Sequence, residues 1–266
     1  MLFLSITTSL IYCFDAVLFI LRLMNIPISV FNKKSLLISI GFIASVLHLY
    51  ILSQIMISPL GIDISIFSIL SLTSWLILTL LLLATLKYPV ENLAIIIMPI
   101  AAFFIILRYL SPHHFYLNQQ LSIGLESHIL LSILSYSLLS IAAVQAIMLY
   151  IQEKHIRNRH PGGFIRALPP LETMETLLFH IITVGFLLLS LSLVTGIFYL
   201  ENIIEQHLIH KTLLSILGWI TFAILLWGRH QFGWRGRTAI KWTISGFVFL
   251  MLAYFGSKFV IELILR

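Results

Sequence analysis

The side chains of this sequence that can do chemistry are its histidines, four of which stand inside or at the mouths of long apolar runs: His48, His128, His180 and His210. An imidazole in such a place ligates a metal, relays a proton or packs as a hydrogen-bonded core residue. His128 opens the run ESHILLSILSYSLLSIAAVQAIMLYI and His210 opens the one beginning HKTLLSILGW, at what reads as the same membrane face. Two neutral imidazoles at matched depth on facing helices are what a six-coordinate haem iron requires. His48, in HLYILSQ, and His180 lie deeper and form a reserve pair, each reading first as a satisfied core residue and second as a ligand. His113 and His114 are adjacent, so on a helix they diverge by roughly 100° and make a poor chelate; interfacial solvation suits them better. No carboxylate, thiol or hydroxyl arrangement suggesting acid–base or nucleophilic catalysis accompanies these residues, so the sequence does not read as an enzyme. The lone Cys13 excludes an intramolecular disulfide and reads as packing. Asp15, in the first apolar run, reads either as hydrogen-bonded within a bundle or as lining a polar path.

The elements that position these residues follow from composition. With 60% hydrophobic residues, 10% charged residues and a mean hydropathy of +1.06, the chain is an integral membrane protein in a lipid bilayer. A span needs about 20 apolar residues, and eight stretches qualify: 1–21, 35–57, 63–86, 93–110, 126–151, 173–200, 211–228 and 238–264. The first lacks the basic start and cleavage site of a signal peptide and reads as a retained helix. The fold expected is therefore all-α, a polytopic bundle of eight transmembrane helices forming one domain over 1–266. Alternate connections carry Arg22, Lys33, Lys34, Lys87, Lys154, Arg157, Arg159, Arg166, Arg229, Arg235, Arg237 and Lys241, against only Arg108 and Lys211 in the others. The basic side is cytoplasmic by the positive-inside rule, which puts both termini outside. This asymmetry explains the net charge of +6 without nucleic acid.

Stepping by three and four from His128 gives Ser132, Ser135, Leu139, Ala142 and Ala146, a narrow face of small side chains on which a neighbouring helix can approach closely. The turns at Pro59–Gly61 and at 87–92 are tight and leave no room for a site. Glu172 and Glu175 complement the positive start of the sixth helix. Arg235 and Arg237, in RHQFGWRGR, read first as a positive-inside anchor and second as a phosphate site, and Lys258 with Glu262 is spaced for a pair along the last helix.

The segment SHILLSILSYSLLSIAAVQA resembles the first signature helix of the cytochrome c assembly family, the CcsA/CcmC-type haem-handling membrane proteins and their HemX-like relatives. FHIITVGFLLLSLSLVTGIFYL, WITFAILLWGRHQFGWRGR and FLMLAYFGS resemble the next three segments in order, so that the likeness covers about 40–258. RALPPLETMETLLF, HKTLLSILGW and GWRGRTAIKW are similar to a branch of YpjD-type inner membrane proteins. The resemblance implies a bacterial inner membrane location and an outer-face haem histidine at the position of His128. It also implies a tryptophan-rich loop that is reduced here to LENIIEQHLIHKT, without tryptophan, and a second outer histidine with no counterpart in AYFGSKFVIELILR. His230 matches the family's inner histidine only loosely. If haem binds on the outer face, His210 substitutes for the missing partner of His128.

Three functions follow from this reading. One is a haem-binding or haem-handling protein related to cytochrome c assembly. Another is a cofactor-free accessory or assembly factor that binds other membrane proteins through its small-residue faces. The last is a small transporter with Asp15, His48 and His180 along a polar path.

Overall fold

The computed structural model describes residues 1–24, 26, 33–59, 61–111, 114–117, 122–158, 168–199, 209–256 and 258. Among them are eight helices long and apolar enough to cross a membrane. Contacts divide the chain into two compact units, Met1–Gln119 with His160–Pro169, and Gln120–Arg159 with Pro170–Arg266.

The first unit holds α1 (Leu2–Leu23), α2 (Lys34–Met56), α3 (Ile66–Thr85) and α4 (Ala94–Leu110), the last entered through a 3-10 turn at Glu91–Leu93. Each helix packs on the next and α4 packs back on α1, closing the ring. Apolar side chains fill its centre, Phe19, Leu37, Leu78, Leu82, Leu93 and Met98 being fully buried. At one end Glu91 receives Lys34 Nζ at 3.0 Å and Arg22 Nη1 at 3.5 Å. At the other end the all-α expectation needs an addition: β1 (Ile57–Ser58), β2 (Gly61–Asp63) and β3 (Tyr116–Leu117) form a small antiparallel sheet. Ile57 pairs with Ile62, and Ile62 with Leu117, so the segments after α2, before α3 and after α4 satisfy one another's backbone groups. Cys13 is exposed on α1 and is not the packing residue the sequence suggested.

The second unit holds α5 (Ile123–Arg157), α6 (Leu171–Tyr199), α7 (Ile209–Phe232) and α8 (Gly236–Met251), which continues as a π-helical turn through Gly256. Helix α5 packs along α6 and α8, and α7 packs on α6 and α8. It is longer than the expected 126–151 at both ends. Ser122 caps it, accepting from Leu125 N at 3.3 Å, and the charged stretch 152–157 continues the helix because its residues are good helix formers. Glu262, and with it the expected pair with Lys258, lies outside the described residues, as do His113 and His207.

Candidate functional site

The small-residue face read from the sequence is the seam between α5 and α6. Gly185 of α6 lies against Leu139 so closely that a Cβ there would stand 2.8 Å from Leu139 Cδ2, and Ser135 Oγ donates to the Gly185 carbonyl at 2.9 Å. Ser135, Leu139, Ala142 and Ala146 are all fully buried. Backbones that approach this closely let short hydroxyls reach across to the neighbouring helix, which is how Ser132 meets Ser192 Oγ at 2.6 Å.

His128 stands at the end of this seam, half-buried. Its Nδ1 lies 2.8 Å from the Ser192 carbonyl oxygen, with Thr195 Oγ1 at 3.4 Å. A carbonyl only accepts, so Nδ1 carries the proton, and in the neutral ring Nε2 is left with its lone pair. Nε2 has no hydrogen-bond partner among the described residues. A ring whose one N–H is held by a backbone carbonyl while the other nitrogen stays free is the arrangement that metal-bound histidines use. One turn before it, Gly124 takes the Tyr199 ring against its bare Cα, a Cβ there falling 2.3 Å from Tyr199 Cδ1. His210, in the first turn of α7, is exposed. At the same end of these helices Ile197, Phe198 and Tyr199 of α6 and Leu213 of α7 present exposed apolar surface.

The reserve histidines differ. His48 is fully buried and both its nitrogens face hydroxyls, Nε2 at 3.0 Å from Ser71 Oγ and Nδ1 at 3.5 Å from Tyr12 Oη, so it is a satisfied core residue with no nitrogen to spare. His180 is exposed on α6, which corrects its first reading as a core histidine; His230 is exposed on α7. Asp15 is fully buried and neither oxygen is hydrogen-bonded among the described residues, so the hydrogen-bonded carboxylate expected there is not what they provide.

Two polar clusters escaped the sequence reading. In the first unit Asp63 Oδ2 meets Arg108 Nη2 at 2.5 Å and His114 Nδ1 at 3.1 Å, while its Oδ1 accepts from Ser65 N and Phe115 N. Burial opposes ionisation of Asp63, but those backbone donors, the Ser68 hydroxyl and the Arg108 charge outweigh it and lower its pKa to about 2. Asp63, at the end of β2 and just past the tight turn, is therefore a buried anion, and His114 is bound there and not merely solvated. In the second unit Glu175 receives Arg229 Nη1 at 2.7 Å, Arg235 Nε at 3.2 Å and Gly236 N at 3.3 Å, and Arg237 pairs with Glu153 at 3.0 Å. Glu175 is thus a clamp on the α7–α8 turn, not a helix-dipole partner. Gly233 and Gly236, at φ +64 and +52, supply the left-handed backbone that this turn needs. The signal in the sequence was the isolated Arg108 on the side otherwise poor in basic residues, since a buried guanidinium demands a carboxylate.

The family model described as Cytochrome C assembly protein matches residues 35–265. The chain belongs to the cytochrome c assembly family. It is 35% identical to the Inner membrane protein YpjD of Escherichia coli K12 over 77% of each chain. It is 26% identical to the Cytochrome c biogenesis protein CcsA of Prochlorococcus marinus MIT 9515, over 91% of this chain and 88% of that one. A 28.8 kDa protein of Azospirillum brasilense is 32% identical over 54% of each. No solved structure matches. With its eight candidate spans, this member of the family is a multi-pass protein of a bacterial inner membrane, and its membership supports a role related to cytochrome c biogenesis.

Proposed function

We propose that the chain binds or hands on haem at the end of the α5–α6 seam, where His128 and His210 would hold the iron. The observation that carries this reading is the hydrogen bond from His128 Nδ1 to the Ser192 carbonyl, which fixes the ring and frees Nε2 for a metal. The residues present fit such a group: His210 is exposed at the start of α7, and Phe198, Tyr199 and Leu213 offer apolar surface of the kind a porphyrin face covers. Bound haem would supply an iron centre for electron transfer or a macrocycle for delivery. The chain's own part is to hold the imidazoles, keep the His128 tautomer and screen the site with apolar side chains.

An absorption spectrum of the detergent-purified protein tests this. A Soret band that shifts in His128→Ala and in His210→Ala is the expected result, and a band unchanged in both variants would sink the assignment. A second reading, a cofactor-free accessory factor for another membrane protein, is favoured by the absence of tryptophan from LENIIEQHLIHKT. The small face of α5 is occupied by α6, so such a partner would meet the exposed apolar sides of α6 and α7 instead. The absence of any Soret band from protein purified after growth with added haem would favour that reading.

A further inference from the structure

Among the described residues of the first unit, Asp15 is the buried carboxyl without a partner. The side chain is fully buried and neither oxygen has a hydrogen bond. The carboxyl packs against the bare Cα of Gly41: a Cβ there would lie 3.2 Å from Asp15 Oδ2, 3.0 Å from Leu82 Cδ2 and 3.1 Å from Met98 Cε. Asp15 is about 20 Å along α1 from Leu2 and about 12 Å from Leu23, so it stands within the hydrocarbon layer. An ionised carboxylate with no donor there is far costlier than a neutral one. A hard metal cation in its place would need several oxygen ligands, whereas no group of three or more His, Cys, Asp or Glu side chains that could hold a metal occurs among the described residues. The ligand that suits a single carboxyl in such surroundings is a proton.

A line of exchangeable groups runs from Asp15 towards the end of the unit that carries Asp63. Tyr12 is one turn away on α1, and its hydroxyl lies 3.5 Å from His48 Nδ1. His48 Nε2 lies 3.0 Å from Ser71 Oγ. Ser68, one turn from Ser71 on α3, donates to Asp63 at 2.9 Å and meets Arg108 Nε at 2.6 Å. His114, 42% exposed, reaches Asp63 at 3.1 Å and opens the line to water. Tyr12, His48, Ser68 and Ser71 are each at most 2% exposed. At the two one-turn intervals, Asp15 to Tyr12 and Ser71 to Ser68, the Cβ atoms stand about 5–6 Å apart, and bridging water would complete the line there. In the other direction Phe19, Leu37 and Leu82 close the bundle with apolar side chains.

We propose that Asp15 is a proton-binding site inside the N-terminal unit, and that it exchanges its proton with water at the Asp63 end through Tyr12, His48, Ser71 and Ser68. One proton enters from water at His114 and one O–H bond forms on Asp15. Each intermediate group accepts a proton on one lone pair and releases its own, so no other species is consumed. The remaining charges on the surrounding helices are committed elsewhere: Arg22 and Lys34 to Glu91, Arg108 to Asp63, and α3 carries none.

The test uses the full chain in lipid nanodiscs. Infrared difference spectra between acidic and alkaline buffer are expected to contain a protonated-carboxyl band that is absent in Asp15→Asn, an isosteric and neutral replacement. After a pH jump, the band should change about tenfold or more slowly in His48→Phe and in Ser71→Ala. A difference spectrum identical in Asp15→Asn overturns the site, and an unchanged rate in both relay variants overturns the route. Should Asp15→Asn fail to fold, dicyclohexylcarbodiimide labelling of the wild-type chain decides the site. That reagent attacks protonated carboxyls in apolar surroundings, so an adduct located by mass spectrometry on Asp15 supports the proposal and an unlabelled Asp15 overturns it.

Discussion

Arg108 Nη2 lies 2.5 Å from Asp63 Oδ2, with the two side chains at 3% and 0% exposure. This pair explains a basic residue on the side of the chain where the loops are poor in them: Arg108 is held by a carboxylate and is not a topological signal. Breaking a buried pair by removing one partner leaves an uncompensated charge and costs about 3–5 kcal/mol. Arg108→Met and Asp63→Asn are each expected to lower the thermal unfolding midpoint in detergent by a corresponding amount. The double variant should lose less than the sum, and strict additivity would show that the pair is not coupled.

Acid should act through the same carboxyl. Asp63 is depressed to about 2, below an ordinary value of about 3.9. Its contribution is therefore fully present above about pH 4 and is lost as pH falls towards about 2, where the folded protein must also take up the proton. The unfolding midpoint of the wild type should fall across that window more steeply than that of Asp63→Asn. Parallel acid profiles would refute the assignment.

The close approach of α5 and α6 gives a third test. Gly185→Ala places a Cβ 2.8 Å from Leu139 Cδ2 and should destabilise by about 1–3 kcal/mol through overpacking. Leu139→Ala in the same chain should recover part of the loss by vacating that space. No recovery in a thermal melt of the double variant would mean that the two residues do not share the contact.

Orientation is the fourth. With twelve Lys and Arg residues on one set of connections, from Arg22 to Lys241, against Arg108 and Lys211 on the other, both termini are expected outside. With Arg108 reassigned to a buried ion pair, the contrast sharpens. A periplasm-active reporter fused after Arg266 should be functional, and a cytoplasm-active one should be silent; the reverse pattern would invert the topology.

The eight spans were legible because a bilayer imposes length and apolarity on each one separately, so local composition suffices. The face from His128 to Ala146 was legible for a related reason: small residues at helical spacing reveal a close helix contact without naming the partner. The Asp63–Arg108–His114 cluster was not. Its members lie 45 and 51 positions apart in sequence for Asp63 with Arg108 and with His114, and only the small sheet brings them together. His48 reads identically in sequence whether its neighbours are hydroxyls or iron, and it was Tyr12 and Ser71, on other helices, that decided it. Asp15 was flagged correctly as costly, but the absence of any partner is a property of what packs around it, which periodicity does not report.

The length of α5 has a mechanical consequence. At 35 residues it extends about 52 Å, against a hydrocarbon layer of about 30 Å. Unless it leans steeply, its last turns leave the membrane as a rigid post. Glu153 stands on that post, and its partner Arg237 is 47% exposed. The strength of this contact is therefore governed by the ions dissolved around it and not by lipid, and it should loosen as ionic strength rises while the pair at Asp63 stays closed.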